Sequence, residues 1–270
     1  MHILFIGDVI GKSGREVVAA ELPKLREVLK LDFIIINGEN AAGGFGITHA
    51  IANEFFQLGA DVITTGNHWA DQKEILNFIA EEDRVLRPRN LPAGTPGKGA
   101  GLFETRKGER VLVVAPLGRV FMEPQDDPFA AVENELIACP LGEGADAIVV
   151  DMHCEATSEK MAMGHFCDGR ASLVVGTHTH IPSADAQILP GGTAYQTDAG
   201  ACADYDSVIG MDKFEPLQRF TKKINSSRFT PALGPGTLCG VFVETNAKGL
   251  AARIEPVRVG GRLKQTVPEI

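Results

Sequence analysis

The first third of the chain alternates short, largely apolar runs with amphipathic stretches, and this order limits the fold more than any other feature. Residues 3–6, 33–36 and 62–65 have the length and composition of buried strands, and the segments after them carry apolar residues at helical spacing. Because parallel strands need crossover connections, this order predicts a parallel sheet built from right-handed βαβ units. Pro23 falls inside the first predicted helix, and a kink or break is expected there.

Local signals place the ends of other elements. Thr48 is expected to cap the second helix, and Asp71 and Glu74 have the spacing of a capping box before the third helix. Residues 102–105 and 111–115 flank a short polar turn and predict a hairpin. We see no repeat or linker, so one domain with a mixed α/β core is expected over residues 1–270. Further predicted elements are a helix around 129–138 and strands at 147–150, 173–175, 194–196, 241–244 and 251–257.

The charge of the chain limits its partners. The sequence has 26 basic and 35 acidic residues, and the difference, 26 − 35, gives a formal charge of −9. Proteins that bind long nucleic acids usually present basic surfaces, so duplex DNA is a poor candidate and RNA is less favoured unless a local basic patch exists. A small phosphorylated substrate fits better, because bound metal ions can supply positive charge locally.

The expected location is the cytoplasm. The five cysteines form no CxxC pair and are odd in number, which favours reduced thiols over a disulfide framework. No basic leader precedes the apolar residues 3–6, and no apolar run approaches the roughly 20 residues that span a membrane. The sequence leaves the oligomeric state open, including a homo-oligomer.

Side chains that can bind metal ions follow five of the predicted strands. In open parallel sheets, ligand sites lie outside the carboxyl ends of the strands, so these side chains are expected to meet at one edge. Each motif alone is commonly a turn or a helix cap, but their repeated occurrence at strand ends indicates a common site. The residues are Asp8, Glu39, Asn40, Asn67, His68, His153, His178 and His180.

The types of these residues suit a pair of cations. A carboxylate such as Glu39 can bridge two cations about 3.5–4 Å apart. Such a pair of cations can activate a bound water for attack on the phosphorus atom of an ester. Imidazole suits iron, manganese, zinc and nickel. His178 and His180 lie two residues apart, so in an extended segment both would project to the same side.

Together these motifs resemble those of calcineurin-like metallophosphoesterases, and most closely the YmdB-like branch of bacterial phosphodiesterases. The resemblance runs from residue 1 to about residue 210, and more loosely to the end. Two longer strings, residues 151–160 and 192–198, are also similar to that branch. The motifs are Gly7-Asp8, Gly38-Glu39-Asn40, Gly66-Asn67-His68, His153 and Gly176-Thr177-His178-Thr179-His180.

The resemblance implies two facing mixed sheets flanked by helices, with a dinuclear metal site at one edge. It also implies hydrolysis by a hydroxide held between the metal ions, with His68 protonating the leaving oxygen; the plainer alternative is that His68 only orients Asn67. One metal ion would bind Asp8, Glu39, Asn40 and His180, and the second would bind Glu39, Asn67, His153 and His178.

The sequence departs from the wider superfamily in its first two motifs. Asp8 is followed by Val9 and Ile10 where Asp-x-His is usual, and Glu39 replaces the usual bridging aspartate. Both departures are typical of the YmdB-like branch, in which Asn40 would occupy the missing histidine's position. Residues 200–203, Gly-Ala-Cys-Ala, depart from the Gly-Met-Thr-Gly of that branch, and specificity could differ if this loop contacts the substrate.

We therefore expect a metal-dependent phosphodiesterase acting on 2′,3′-cyclic or 3′,5′-cyclic nucleotides. The metal ions are expected to be iron or manganese, with zinc and nickel as alternatives. Two other functions fit the same residues: a phosphomonoesterase, since the motifs do not separate monoesters from diesters, and a regulatory protein that senses a metal or nucleotide with little catalysis. RNA is a third, less favoured substrate.

Overall fold

The structure, a computed structural model, describes residues 1–270 and contains two β-sheets with six helices. The strands are β1 His2–Ile6, β2 Phe33–Asn37, β3 Val62–Thr64, β4 Val85–Leu86, β5 Ala100–Glu104, β6 Arg110–Val114, β7 Ala147–His153, β8 Leu173–Thr177, β9 Gln187–Ile188, β10 Ala194–Gln196, β11 Ala203–Asp204, β12 Gly236–Thr245 and β13 Ala251–Gly260. The helices are α1 Gly11–Val28, α2 His49–Gln57, α3 Ile75–Phe78, α4 Pro128–Ala138, α5 Thr157–Phe166 and α6 Phe214–Lys222.

The first sheet has the strand order β11-β12-β1-β2-β3-β4, and β13 pairs with β12. Strands β1 to β4 are parallel, as the alternation of apolar runs and helices predicted. Strand β12 runs antiparallel to β1 and forms a long hairpin with β13, which makes the sheet mixed.

The second sheet has the order β5-β6-β7-β8-β10-β9. Strands β5 and β6 form the predicted antiparallel hairpin, whereas β6, β7, β8 and β10 are parallel neighbours. The carboxyl ends of β7 and β8 therefore lie at one edge of this sheet, as those of β1, β2 and β3 do in the first sheet.

The sheets face each other across a shared apolar core. Phe5 and Phe33 of the first sheet belong to the same buried cluster as Val113, Val149 and Val175 of the second. Alternate residues point the other way, because successive side chains of a strand lie on opposite faces. The resemblance predicted this pair of mixed sheets flanked by helices, and it is confirmed; the shared core fits the single domain expected over residues 1–270, which stays a prediction.

Helices cover the outer face of each sheet. Leu4 and Ile6 of β1 pack with Leu22 of α1 and Phe55 of α2, all of them at most 1% exposed. Helices α4 and α5 supply buried apolar residues to the outer face of the second sheet in the same way. Burial of one such aliphatic or aromatic side chain stabilises the fold by roughly 1.5–3 kcal/mol, so these faces fix how the strand ends are placed.

Local predictions have different outcomes. Helix α1 continues through Pro23, so the helix does not break there, because Leu22 and Leu25 pack against the first sheet on either side; a kink at Pro23 stays a prediction. Asp71 and Glu74 form no capping box; the Glu74 carboxylate instead accepts a hydrogen bond of 2.8 Å from the backbone N–H of His49. Thr48 caps α2 as predicted, since its hydroxyl oxygen accepts from a backbone N–H of the first turn.

None of the helices has the length and apolar content needed to cross a bilayer.

Candidate metal centre

The residues predicted from the strand ends lie together at one edge of the two sheets. Strands β1, β2, β3, β7 and β8 each end within three residues of a metal-capable side chain or contain it as their last residue. Five of these side chains are buried, whereas His68 and His178 are partly open to solvent and Asn67 is exposed. From β1 to β8 they are Asp8, Glu39, Asn40, Asn67, His68, His153, His178 and His180.

Three of these residues converge on one ring nitrogen of a fourth, His153. Its Nε2 lies 3.0 Å from Glu39 Oε1, 2.9 Å from Asn67 Oδ1 and 3.2 Å from His178 Nδ1. Nitrogen and oxygen donors at such mutual distances can surround a single cation. The set is the one that the resemblance gave to the second metal ion, and its role as a ligand set stays a prediction.

Hydrogen bonds in the core fix the orientation of the His153 ring. The Thr177 hydroxyl donates to Asp151 Oδ1 over 2.6 Å, so it must accept from His153 Nδ1, 2.8 Å away. The other Asp151 oxygen accepts from Asn37 Nδ2 and from the Thr64 hydroxyl. Because Nδ1 carries the proton, the lone pair of the neutral ring lies on Nε2, where the other donors converge. Outer partners of this kind orient metal-binding imidazoles in many proteins.

The Glu155 carboxylate orients the His178 ring so that Nδ1, and not Nε2 as in His153, keeps the lone pair. Glu155 Oε2 lies 3.2 Å from His178 Nε2, which makes Nε2 the donor and leaves the Nδ1 lone pair facing His153. The backbone N–H of His178 also donates to Asp8 Oδ2 over 3.2 Å. The two histidines thus present different ring nitrogens to the same point.

Two of the remaining predicted ligands contain a buried oxygen atom without a hydrogen-bond partner, Asp8 Oδ1 and Asn40 Oδ1, and Glu39 Oε1 faces only the His153 ring nitrogen 3.0 Å away. Such an atom costs about 1–3 kcal/mol when it is left unsatisfied, and more when it is charged. His180 Nδ1 donates to the Ile209 carbonyl over 2.8 Å, so its Nε2 keeps the lone pair. A cation would satisfy all three oxygens, and the donor set therefore fits a metal ion.

The charges of the cluster depend on one another. Burial raises the pKa of Asp8 to about 6. Burial also opposes the Glu39 carboxylate, but attraction to His153 prevails and lowers its pKa to about 2. Burial disfavours a charged His153, yet Glu39 raises its pKa to about 9, whereas burial and His153 lower the pKa of His178 to about 3. The metal-free cluster thus holds a proton on His153 at neutral pH, which a bound cation would replace.

His68 lies at the side of this cluster. Its backbone N–H donates to Glu39 Oε2 over 3.1 Å, and its Nδ1 is paired with Asp71 Oδ2 at 2.8 Å. The ring packs edge-on against Phe45 and its side chain is 29% exposed. Because Asp71 holds Nδ1–H, Nε2 is the ring nitrogen left to donate a proton to a bound molecule.

The segment that carries His178 and His180 is not extended, contrary to expectation. Strand β8 ends at Thr177, and both histidines have left-handed backbone conformations, with φ of 94° and 67°. Residues other than glycine adopt such conformations at a cost of about 1–3 kcal/mol. The two rings reach the site because the backbone turns sharply here, and not because alternate residues of a strand share a face.

A buried ion pair holds this strained segment in place. Asp198 Oδ2 accepts from the backbone N–H and the hydroxyl of Thr179, the residue between the two histidines, and from Lys160 Nζ at 2.8 Å. Lys160 is 0% exposed, and its charge is matched by Asp198. The pair joins the two strings, 151–160 and 192–198, that carry the wider resemblance.

Two glycines give the backbone room at the site. A side chain on Gly66 would overlap the imidazole of His153, and one on Gly176 would overlap the backbone carbonyl of Thr197. Neither glycine has a positive φ, so the requirement is close approach and not a special turn conformation. Glycine is therefore required at both positions because any side chain would collide with a neighbouring segment.

The loop that departs from the YmdB-like pattern lies beneath the site. Ala201, Cys202 and Ala203 are at most 2% exposed, and none of them lines the cavity above the cluster. The loop contacts the site through its backbone, since Ala201 N–H donates to the His180 carbonyl and Cys202 N–H to the Asp8 carbonyl. These side chains therefore do not contact a molecule bound in the cavity.

A cavity of about 550 Å³ opens above the cluster. Polar residues of the site, among them Glu39 and His68, form part of its wall. Apolar residues form the remainder, including Phe45, Phe220 and Phe229. Its size suits a ligand such as a nucleotide, with apolar surface for a base and polar groups for a phosphate.

Several residues that support the site have no role that the sequence indicates. Asp151, Glu155 and Lys160 lie in the string 151–160 that resembles the YmdB-like branch, but their partners come from other strands and loops. Two residues could have indicated a buried polar network: Asp151 within the apolar strand β7, and Lys160 at a position of α5 where an apolar residue is expected. Neither residue type is commonly buried without a partner. No local pattern indicates that the Ile209 carbonyl orients His180.

Comparison with known proteins agrees with this structure. The family described as YmdB-like protein matches residues 4–257. A protein of Bacillus subtilis (strain 168) named 2′,3′-cyclic-nucleotide 2′-phosphodiesterase is 49% identical over 244 residues, which cover 90% of this chain and 91% of the relative.

Two crystal structures have the same fold over nearly the whole chain. A hypothetical protein from Thermus thermophilus has a TM-score of 0.89 at 41% identity, covering 97% of this chain and 100% of its own. A protein of Mycoplasma pneumoniae described as a novel phosphatase has a TM-score of 0.89 at 31% identity, covering 96% and 93%. The resemblance inferred from the motifs is confirmed, and the chain belongs to the YmdB-like protein family.

Proposed function

We propose that this protein is a metal-dependent phosphodiesterase that hydrolyses 2′,3′-cyclic nucleotides. The Bacillus subtilis relative, 49% identical, is named for that activity, and its match covers 90% of this chain. That name favours the 2′,3′-cyclic substrate over the 3′,5′-cyclic alternative. The proposed enzyme class is therefore a hydrolase of phosphoric diesters with a small-molecule substrate.

The observation that carries the proposal is the set of unpartnered buried oxygens beside oriented imidazoles. Asp8 Oδ1 and Asn40 Oδ1 lack hydrogen-bond partners, Glu39 Oε1 faces only His153 Nε2, and His180 is oriented with its Nε2 lone pair free. Core hydrogen bonds aim His153 Nε2 at the same region. Buried polar atoms are nearly always satisfied in proteins, so this many together supports a role in binding cations.

We assign two cations to these donors. The first would be held by Asp8, Asn40 and His180, the second by Asn67, His153 and His178, and Glu39 would bridge them. Mixed nitrogen and oxygen donors fit iron or manganese, with zinc and nickel as alternatives, and supply in the cell selects among them.

Bound cations would supply an activated water and offset the negative charge that develops on the phosphoryl oxygens. The chain's own residues would do the remainder. A cyclic phosphate would enter the cavity beside Glu39 and His68, with the base against the apolar wall. As water adds to phosphorus, the bond to the leaving ribose oxygen breaks, and His68 Nε2–H would protonate that oxygen. Asp71 would keep the ring oriented, with Nε2 towards the bound ester.

The proposal is tested by measuring metal content per chain together with hydrolysis of 2′,3′-cyclic AMP, in the wild type and in Asp8→Ala. We expect two metal ions per wild-type chain, and a loss of both metal and activity in the variant. Two metals without hydrolysis would contradict the enzymatic assignment and favour a sensor of metals or nucleotides. A protein that binds no metal would contradict the ligand assignment itself.

A phosphomonoesterase is the second candidate, because the Mycoplasma pneumoniae structure of the same fold is described as a phosphatase. The cavity volume of about 550 Å³ accommodates either class of ester, so the size of the cavity does not distinguish them. Rates on bis-p-nitrophenyl phosphate and p-nitrophenyl phosphate distinguish the two. A preference for the monoester would replace the diesterase proposal.

A further inference from the structure

Residues 213–229 form a basic segment on an acidic protein, and we name them the rim segment. They contain five cationic residues and one carboxylate, which gives a local charge of 5 − 1 = +4 against −9 for the whole chain. The cationic residues are Lys213, Arg219, Lys222, Lys223 and Arg228.

Three of these cations have no ion-pair partner. Lys213 pairs with Asp206 at 2.9 Å, and Arg219 pairs with Glu215 at 2.9 Å. No carboxylate lies within 4.0 Å of the amino or guanidinium groups of the other three cationic residues, which are exposed to solvent. Their charges are available to a negatively charged ligand. They are Lys222, Lys223 and Arg228.

The rim segment has a defined shape, because a buried carboxylate ties its two halves together. Helix α6 ends at Lys222, and the following residue, Lys223, has a left-handed φ of 54° that reverses the chain. Glu215 then accepts hydrogen bonds from the backbone and hydroxyl of Ser226 and from the hydroxyl of Ser227. The three free cations therefore lie at the end of α6 and on the structured turn that follows it.

An exposed aromatic ring connects this basic turn to the metal centre. Phe220 is 82% exposed, yet it lines the same cavity as Glu39 and His68. Phe229 lines this cavity too, and the Arg219 guanidinium lies 3.9 Å from its ring centroid. Aromatic rings beside free cations are the combination with which proteins bind single-stranded nucleic acids without regard to sequence.

We propose that the physiological substrate class is a single-stranded oligoribonucleotide that ends in a 2′,3′-cyclic phosphate. The cyclic phosphate would lie at the metal centre, the preceding base would stack on Phe220, and the upstream phosphates would contact the free cations. This inference rests on the proposed function and narrows its substrate. One water is consumed, the phosphorus–O2′ bond breaks, and the product is an oligonucleotide with a terminal 3′-phosphate. The charge of −9 disfavours duplexes but not a strand held by this local patch.

The test compares kcat/KM for 2′,3′-cyclic AMP and for a five-nucleotide oligoadenylate that ends in the same cyclic phosphate. We expect the oligomer to be favoured about tenfold or more at low salt, since one stacked base and a few phosphate contacts supply at least that. The logarithm of this ratio should fall with the logarithm of the salt concentration, with a slope of about −2 for three contacts at about −0.7 each.

A triple variant Lys222→Gln, Lys223→Gln, Arg228→Gln tests the patch directly. The ratio of the two kcat/KM values should fall towards one, and Phe220→Ala should lower it independently. The matched control is Lys30→Gln, Arg106→Gln, Lys248→Gln, which removes the same charges at the opposite edge of the sheets and should keep the wild-type ratio.

Several outcomes would contradict the inference. One is a wild-type ratio near one, and another is an unchanged ratio in the rim triple variant. If Phe220→Asp converts a dimer into a monomer in sedimentation experiments and leaves the ratio unchanged, the segment binds a second copy of the chain instead. Hydrolysis of 2′,3′-cyclic AMP without an oligomer preference contradicts only this inference, whereas no hydrolysis of either substrate contradicts the proposed function.

Discussion

The floor and the rim of the cavity are built in different ways. The floor consists of Asp8, Glu39, Asn40 and His153, which are at most 1% exposed and lie on or just after strands of the two sheets. The rim is formed by loops and by α6, where Phe220 is 82% exposed. The floor is thus fixed by the packing of the core, whereas the rim is fixed by contacts among exposed loops and α6.

This difference separates chemistry from specificity. Residues of the floor are held by hydrogen bonds that reach through the core, so a change there should alter metal binding and all activity together. Residues of the rim contact only what enters the cavity, so a change there should alter the choice of substrate. Functional residues on loops above a rigid frame are a common arrangement in enzymes.

The largest effect is expected from Glu39→Gln in the floor. The substitution keeps the shape but removes the charge that would bridge two cations, whose stabilisation of the transition state amounts to several kcal/mol. We expect activity on 2′,3′-cyclic AMP to fall by about 10³-fold or more, because about 1.4 kcal/mol corresponds to a factor of ten. Metal content measured on the same samples should fall with it.

Glu16→Gln is the matched control, since Glu16 is an exposed carboxylate of α1. It should keep both metal and activity. If Glu39→Gln kept its metals and its rate, the floor would not be the site of chemistry, and the distinction between floor and rim would lose its basis.

A smaller but specific effect is expected from His68→Ala, at the boundary between floor and rim. Removal of a general acid costs about 10²- to 10⁴-fold in rate, and the metal content should stay at the wild-type level. Substrates whose leaving group needs no proton, such as bis-p-nitrophenyl phosphate, should lose much less. An equal loss for both substrates would point to the structural role, in which His68 only orients Asn67.

The hydrogen bond behind His153 gives the next effect in size. Thr177→Val removes the hydroxyl that accepts from His153 Nδ1 and donates to Asp151, and it keeps the side-chain volume. Loss of such an outer partner typically weakens metal binding by about 10- to 100-fold, which titration of the metal-free protein would measure. Thr177→Ser keeps the hydroxyl and should restore binding. Equal affinity in Val and Ser variants would contradict the proposed role of this bond.

The floor could be predicted from sequence because it obeys a general rule of parallel sheets. Strand periodicity located β1, β2, β3, β7 and β8, and the rule places the polar residues that follow them at one edge of each sheet; that the two sheets face each other was implied by the resemblance. The assignment of these residues to separate metal ions came from the resemblance and not from periodicity. The structure brings the residues together but does not itself test that assignment.

The turns that carry His178 and His180 could not be predicted in this way, because their geometry depends on contacts between distant segments. The orientation of His180 is set by the Ile209 carbonyl, 29 residues along the chain, and backbone carbonyls leave no mark in a sequence. The departure of this segment from the expected extended conformation has the same cause. They are held by Asp198 and Lys160, whose pairing is visible only in three dimensions.

The smallest effect is expected from Cys202→Thr, which restores the residue more usual in the YmdB-like branch. Cys202 lies in a loop, yet it is 0% exposed and packs in the core next to α1, so by burial it belongs with the floor. Because its side chain does not line the cavity, the ratio of kcat/KM between 2′,3′-cyclic and 3′,5′-cyclic AMP should stay within about twofold of the wild-type value. A twofold change corresponds to a free-energy difference well under the roughly 1.4 kcal/mol of a tenfold change. The buried thiol-to-hydroxyl exchange should instead appear in thermal unfolding, as a decrease in stability of about 1 kcal/mol. A changed substrate ratio with unchanged stability would mean that this loop contacts the substrate, and that burial does not separate the two regions.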